Sequence, residues 1–552
     1  MRKAHILFLL ITIVPSLLYS QITGKIKGKV TDAQSNEAII GANVIVAGTS
    51  MGNATNVDGE FVILNVPAGV YSIKASYIGY QAVTITNVEV LSGKTTEANF
   101  KLTAEGVEVK TVEIVGERPL VQKDQATTSR FATQEDLKNL PLRDVTAAVA
   151  LVPGVVSQDD RGTKKLYIRG GRADEVGYFV EGASVRNVVD GQQFTTVIPE
   201  ALQEFQVQSG GYTAEFGGAN AGIVRQTLRS GTSKLAGSLQ METDNFTDQN
   251  NEAIGTYSYG YSNYVGTLSG PLFSDNVKFF LAGENKFQRD TRTQFWDGFK
   301  VNNIVDDGSQ GGNAGDTFNI SMKPGNIPGT FENRYTSNGT ITYDAYPLTV
   351  RVGGTFSWQR NRNNTNPIQN LFNTGRLEYE DQSTVLGTIK LSHFLDKNTF
   401  YEVNLNYFDY RRKRYDPIFG DDFLKYSDSL ENARVGITNY QSYSIGAPYF
   451  SAYGFTFDYP GRVNARYLKS KQNYLGGSID FTKQIGTEHE IKFGGTFQRY
   501  AVRSFSSISS SGMLNFLLTQ PDLARTPSAQ RDYQFRRQGG NINAYGYDVY
   551  GN

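Results

Sequence analysis

The stretch LYIRGGRADEVGYFVEGASV, Leu166–Val185, is rich in glycine and arginine and lies between two apolar runs. Three readings compete for it: a phosphate-cradling loop, a nucleic-acid patch, or strands joined by tight turns. Gly170, Gly171 and Gly177 do not make G-x-G-x-x-G, and no helical pattern follows at once, so the phosphate loop fails. Lys plus Arg total 54 and Asp plus Glu total 54 in 552 residues, a neutral balance that argues against a dedicated nucleic-acid binder. The glycines are then turn residues, which reach conformations closed to other side chains.

Upstream, Thr133 to Asp136 reads T-x-x-D, a variant of the helix capping box. Val145, Ala148, Val149 and Val152 share one helical face that Pro153-Gly154 ends. Downstream, PEALQEFQVQSGGYTAEFGGANAGIVRQTLRSGT is strand-like and glycine-punctuated. The segment 127–231 is therefore a small α/β unit.

From Ser233 onward alternation dominates. In FYEVNLNYFDY, Tyr401, Val403, Leu405 and Tyr407 oppose Glu402, Asn404 and Asn406. YLGGSIDFTK and HEIKFGGTFQRY repeat the pattern, which is the period-2 signature of an outer-membrane barrel. A soluble barrel would turn the same apolar face inward, so periodicity alone leaves the choice open. Connection lengths help. GPLFSDN (270–276), DAYP (344–347), LDKN (395–398) and IGTEH (485–489) are tight, and long polar stretches near 292–335, 362–382 and 413–469 alternate with them. Short periplasmic turns and long extracellular loops are the barrel rule. About nine strands are expected, at 234–243, 256–269, 277–290, 335–343, 348–360, 383–394, 399–411, 471–484 and 490–503. Since a barrel that encloses a domain takes about 22, we expect the sequence to be the earlier part of a longer chain.

The N-terminus, MRKAHILFLLITIVPSLLYSQ, has a basic start, a short apolar run and Ser20 at a cleavage-like position, so residues 1–20 read as an export signal. No later run approaches the ~20 apolar residues of a spanning helix. Residues 21–103 are short alternating runs between turns, among them Asp58-Gly59, a hairpin signal, and Pro67-Ala68-Gly69. A β-sandwich of roughly seven strands follows. Gly93-Lys94-Thr95 looks like the end of a phosphate loop, but position 88 is Val88 where that motif needs glycine, so a hairpin turn is the better reading. Residues 104–126 form a linker whose strip Val109, Lys110, Thr111, Val112, Glu113, Ile114, Val115 is β-prone amid charge. It is either plain linker or a strand offered to a partner for pairing.

Two resemblances emerge from these residues. With Gly28 to Asp32, Gly41 to Val44, Thr55 to Phe61 and Val66 to Tyr80, the sandwich resembles the carboxypeptidase-regulatory-like domain, which carries no peptidase chemistry in such proteins. Residues 127–231 resemble the plug domain of TonB-dependent outer-membrane receptors. The motif positions are Ile168-Arg169-Gly170, Glu181-Gly182, Glu204, Val207, Gly210, Phe216-Gly217 and Gly222-Ile223-Val224. Glu181 stands where Asp is usual, and RQTLRSGT replaces the usual closing sequence. The form typical of the starch-utilisation (SusC-like) branch is absent. The resemblance implies a mainly β protein, with an N-terminal β-sandwich, a small α/β plug and then, over 232–552, the first part of a large antiparallel transmembrane β-barrel.

It also implies energy-dependent import of a scarce solute (iron chelate, cobalamin, oligosaccharide or peptide). The strip at 109–115 would be the TonB box, with TonB, its inner-membrane energising proteins and outer-membrane lipid as partners. The N-terminal domain would lie in the periplasm. Arg169 and Arg172 are candidates to pair with wall carboxylates, or else to sit in a solvated loop.

The alternative is a surface adhesin or assembly protein of the outer membrane without transport. An enzyme is disfavoured. There is no cysteine, and His5, His393 and His489 are scattered, the last two at tight turns. No cofactor or metal is expected. The acidic loops Val305 to Asp316 and Phe419 to Phe423 lack the spacing of a calcium loop and read as solvated.

Overall fold

The computed structural model describes residues 23–104, 113–115, 128–138, 145–160, 163–189, 191–210, 217–247, 252–258, 260–289, 295–296, 299–309, 314–322, 325–326, 329–362, 364–437, 449–452, 454–463, 466–507, 542–548 and 551–552. The expected export signal lies outside them.

Two small sheets face each other at the N-terminal end. One is built on β1 (Thr23–Asp32), the other on β2 (Asn43–Val46) and β3 (Gly52–Ala54). β4 (Glu60–Pro67), β7 (Thr95–Glu97) and β8 (Phe100–Leu102) join the first sheet. β5 (Gly69–Ser76), β6 (Val83–Val90) and β9 (Glu113–Val115) join the second, in the order β3-β2-β5-β6-β9. Ile26, Val44, Phe61, Ile73 and Phe100 fill the space between them. The two hairpin signals, Asp58-Gly59 and Gly93-Lys94-Thr95, hold as turns but not as hairpins. Gly59 has φ +73 and its N–H donates to the Asn56 carbonyl, yet the flanking β3 and β4 belong to opposite sheets. The Gly93 turn likewise leads from β6 in one sheet to β7 in the other. A turn signal fixes a reversal of the chain. It does not fix which strands pair.

The plug is a five-stranded mixed sheet, ordered β10-β15-β16-β13-β14, with a separate two-stranded ribbon. Its members are β10 (Thr128–Thr133), the ribbon β11 (Val155–Asp160) and β12 (Thr163–Ile168), β13 (Val176–Val180), β14 (Ala183–Ser184), β15 (Leu202–Gly210) and β16 (Gly222–Leu228). The expected cap forms at α1 (Gln134–Lys138), where the Thr133 N–H donates to the Asp136 carboxylate at 2.9 Å. In α2 (Val145–Ala150), Val145, Ala148 and Val149 are buried.

The wall is one antiparallel sheet of ten strands. They are β17 (Ala236–Thr243), β18 (Tyr261–Leu272), β19 (Ser274–Gln288), β20 (Phe331–Ala345), β21 (Leu348–Arg362), β22 (Tyr379–Asp396), β23 (Thr399–Tyr415), β24 (Tyr467–Ile485), β25 (His489–Ser507) and β26 (Ile542–Tyr545). All nine expected strands are present, most running past their expected upper ends, and β26 is additional. The extension has a physical cause. RRKRY and KSKQ carry polar residues on both faces, so alternation fades while the backbone ladder continues.

The direction of the apolar face, open in the sequence, is outward. Leu405, Leu475, Ile479, Phe493 and Phe497 are all more than half exposed, forming a belt of a size that only a lipid or protein partner covers. Asn406, Thr388 and Asn338 point inward and are buried. Each tight connection expected from the sequence closes one end of this wall. His393 stands at that end, edge-on to Tyr401 at 5.3 Å.

Leu405→Arg is therefore expected to destabilise the wall by about 2–4 kcal/mol. The inward Asn404→Arg is expected to cost less. Denaturant titration of protein folded into lipid vesicles distinguishes them.

Candidate functional site

The quoted motif folds into a hairpin whose turn does the anchoring. Val180 pairs with Ala183, leaving Glu181-Gly182 as a two-residue loop with φ +50 and +80. Both central residues left-handed is the turn that matches strand twist, and glycine or Asn/Asp is favoured there. Glutamate is disfavoured in that conformation by sterics. Its longer carboxylate explains why it is held there. Glu181 Oε1 accepts from the Leu228 N–H at 2.6 Å. The Arg351 guanidinium of β21 grips both oxygens, Nε to Oε2 at 2.7 Å and Nη2 to Oε1 at 3.1 Å. Arg351 also donates to the Leu228 carbonyl at 2.8 Å and to Ser230 Oγ at 2.6 Å. The pair is buried, so it is strong only because every remaining polar site is occupied.

The expected direction of plug-to-wall charge is thus reversed. Arg169 makes no ion pair among the described residues. Its backbone turns at φ +50, and its N–H donates to the Gly154 carbonyl at 2.8 Å. Arg172 pairs locally with Asp174 at 2.8 Å on the surface. Ile168 is fully buried, and Gly170 is a left-handed turn residue. Gly222 opens β16 beneath Ile168, where a Cβ would stand 2.8 Å from the Ile168 Cδ1. Gly217 lies in irregular chain, and Phe216 lies outside the described residues. Sequence reasoning missed Arg351. Its signal was a cation on the inward face of an otherwise Thr-, Gly- and Ser-lined strand.

Around this latch the plug hangs from wall side chains. The Asn338 carbonyl oxygen accepts from the Ile198 N–H at 2.8 Å. Thr384 and Thr340 donate to the Phe194 and Arg229 carbonyls at 3.0 and 2.6 Å, and Tyr474 donates to that of Ser184 at 2.7 Å. Phe194 stacks on Tyr410 with centroids 3.7 Å apart. Leu386, Phe408 and Tyr474 join the plug's own apolar core.

The sandwich sits against the end of the wall that carries the tight turns. Ser50 Oγ donates to Asp344 at 2.7 Å, Thr487 donates to Glu60 at 3.0 Å, and Lys25 pairs with Glu490 at 3.4 Å. Val62 and Leu64 pack on Phe400. It also reaches the plug, where the Ser92 N–H donates to both Glu204 oxygens at 3.1 and 3.3 Å. Burial pushes the Glu204 carboxyl above its ordinary value, against the pull of Ser92 and Arg225. Lys94 lies over the Phe131 ring at 5.2 Å, and burial lowers its ammonium to about 8. Where the three parts meet, Asn65, Ser230, Arg351 and Lys390 line a cavity of about 30 Å³, room for a water.

Of the candidate strip, Glu113, Ile114 and Val115 form β9, paired in parallel with Thr84, Ile85 and Thr86 of β6. Val109, Lys110, Thr111 and Val112 lie outside the described residues. The acidic loops are not simply solvated. Asp306 is buried and accepts from the Tyr459 hydroxyl at 2.7 Å, and Asp421 accepts from that of Tyr467 at 2.7 Å. Among the described residues no three His, Asp or Glu side chains stand close enough to hold a metal.

Arg351→Leu leaves a buried carboxylate unpaired and is expected to loosen the plug by about 3–5 kcal/mol, read as faster amide exchange across β13, β14 and β16. Adding Glu181→Leu is expected to restore much of the loss. Glu204 gives a pH signature. A carboxyl raised in the folded state binds its proton more tightly there, so stability falls as pH rises from the ordinary carboxylate range towards the raised value. Glu204→Gln keeps the acceptor for Ser92 and is expected to abolish that slope in thermal unfolding, whereas Glu204→Leu is expected to free the Ser92 amide to exchange.

Comparison with known proteins now has geometry to stand on. A family model for the carboxypeptidase regulatory-like domain matches residues 25–103, and one for the TonB-dependent receptor plug domain matches residues 121–224. The TonB-dependent transporter Oar of Myxococcus xanthus is 25% identical over 363 residues, 60% of this chain and 33% of its own length. The TonB-dependent receptor P39 of Formosa agariphila is 28% identical over 221 residues, 38% of this chain and 20% of its own length. The chain thus spans a third or less of the length of these relatives. The outer-membrane transporter YddB of Escherichia coli superposes with TM-score 0.43 at 11% identity, over 68% of this chain and 48% of that one. By its plug and by the domain that precedes it, the chain is similar to TonB-dependent receptors and transporters, with a matching plug domain behind a matching carboxypeptidase regulatory-like domain.

Proposed function

We propose that this protein imports a scarce solute across the outer membrane, with TonB supplying the energy and the sandwich lying on the periplasmic side. The observation that carries this reading is the Glu181–Arg351 latch. The plug is held to the wall by side-chain contacts, a buried ion pair and hydrogen bonds beside a shared apolar patch, with no backbone ladder between the plug sheet and the wall sheet among the described residues. Such contacts hold at rest and can be released one at a time, as a gate requires.

In this reading the long upper loops take the solute, which is an iron chelate, cobalamin, an oligosaccharide or a peptide. The outward apolar belt sits in the lipid. TonB pairs with the 109–115 strip by strand addition and pulls. The pull shears Glu181 from Arg351, and water enters to solvate both charges. No bond in the solute is made or broken, so no catalytic group, cofactor or metal is called for.

The test uses the full-length protein in cells. Deleting residues 109–115 is expected to abolish energy-dependent accumulation of the solute while leaving surface binding intact. Unchanged accumulation would overturn the importer reading in favour of an attachment role.

A further inference from the structure

Above the apolar belt, the outward face of three adjacent strands turns cationic. The register between β23, β24 and β25 runs without a shift, so alternation is strict. It places Arg411 and Lys413 of β23, Lys469 and Lys471 of β24 and Arg503 of β25 on that face. Across the strands Lys413 stands opposite Lys469, Arg411 opposite Lys471, and Lys471 opposite Arg503. Like charges directly opposite each other destabilise a sheet. Two carboxylates offset part of the repulsion. Asp409 accepts from Arg411 Nε at 2.7 Å and lies 3.4 Å from Lys471 Nζ, and Asp421 lies 2.7 Å from Lys413 Nζ. Lys469 and Arg503 make no ion pair among the described residues and both lie over the Tyr547 ring, at 5.1 and 6.0 Å. Arg360 of β21, at the same height, is by contrast gripped by both oxygens of Asp381 at 2.8 and 2.9 Å.

Height decides what these cations meet. Tyr401, beside His393 at the tight-turn end, lies ten residues from Arg411 along β23. At about 3.4 Å per residue and a tilt of about 40°, that separation is about 26 Å along the barrel axis, against an apolar band about 25 Å tall. Leu405, Leu475, Ile479 and Phe497 occupy the band. The cations therefore stand where lipid tails end and headgroups begin. Phe423 of the following loop packs on Tyr467 and Phe505 at the same strand ends, with centroids 5.0 and 5.5 Å away.

We propose that these five side chains hold the phosphate groups of an outer-leaflet lipid, a phosphorylated glycolipid whose tails lie along the belt below. The inference rests on the reading that the tight turns face the periplasm, which puts this end of the strands in the outer leaflet. A phosphate seated between Lys413 and Lys469, or between Lys471 and Arg503, replaces repulsion with charge-assisted hydrogen bonds to both partners. A free anion gains only those charges. A lipid also covers exposed apolar side chains.

The test uses the full-length protein in neutral detergent, with lipid binding read by native mass spectrometry. Lipid A bearing two phosphates is expected to bind, and lipid A stripped of both to bind at least about tenfold more weakly. Lys471→Gln with Arg503→Gln is expected to cause a loss of similar size, whereas Arg360→Gln leaves binding unchanged. The double variant also relieves like-charge contacts. Without lipid it is expected to unfold at no lower denaturant concentration than the parent, which separates lost binding from lost fold. Inorganic phosphate at the lipid's concentration is expected not to displace it. Equal binding of the two lipids, undiminished binding by the double variant, or displacement by inorganic phosphate overturns the lipid site and leaves the importer reading standing. Orientation is read separately. The chain has no cysteine, so Leu430→Cys, at an exposed position in the neighbouring loop, is expected to take a membrane-impermeant maleimide on intact cells. No label there overturns the orientation and the outer-leaflet lipid with it.

Discussion

One buried ion pair organises this molecule. Arg351 projects from the wall into a site where its five donors meet a carboxylate, a backbone carbonyl and a hydroxyl, while the carboxylate spends its remaining capacity on the Leu228 amide. Removing charges from water is costly, and attraction at short range offsets that cost only when the geometry is complete. Completing it forces a glutamate into a left-handed turn, aligns the end of β16 with the tip of the β13–β14 hairpin, and sets the height of the plug against β21. Mild backbone strain at Glu181 is over-determined by four surrounding contacts, the usual circumstance in which strain persists at a working site.

The rest of the plug surface is matched to this arrangement. Threonine, asparagine, glutamine and tyrosine on the inward wall face satisfy plug backbone groups that would otherwise be buried without partners. A polar lumen and an apolar exterior are two consequences of one period-2 pattern. The sandwich adds a second layer beneath, joined to the wall mostly through side chains at turns. That interface is more polar and less extensive in apolar contact than the plug's own core, as interfaces between domains of one chain commonly are.

Much of this was legible in the sequence because it rests on local rules. Strand period gave nine of the ten wall strands, and Thr133 with Asp136 marked a real cap. Tight connections followed from Asp, Pro and Gly at fixed places. What escaped was non-local. Asp58-Gly59 announces a reversal but not that its strands join different sheets. Arg351 looks like any barrel lysine or arginine until Glu181, 170 residues earlier, is brought against it. The two arginines beside the motif attracted attention for their charge, yet one is solvated with a neighbouring aspartate and the other serves through its backbone. The strip's docking on β6 depends on an edge left open by sheet order, which no window of sequence contains.

Several of the wall's bonds end on plug carbonyl oxygens, those of Ser184, Arg186, Phe194, Leu228 and Arg229. A carbonyl belongs to the chain and not to the side chain. The wall therefore reads the plug's path through space more than its spelling at these positions. Mutational drift there leaves the attachment intact so long as the backbone keeps its course. In the same lineage the two ends of the latch, Glu181 and Arg351, are bound to change together or not at all.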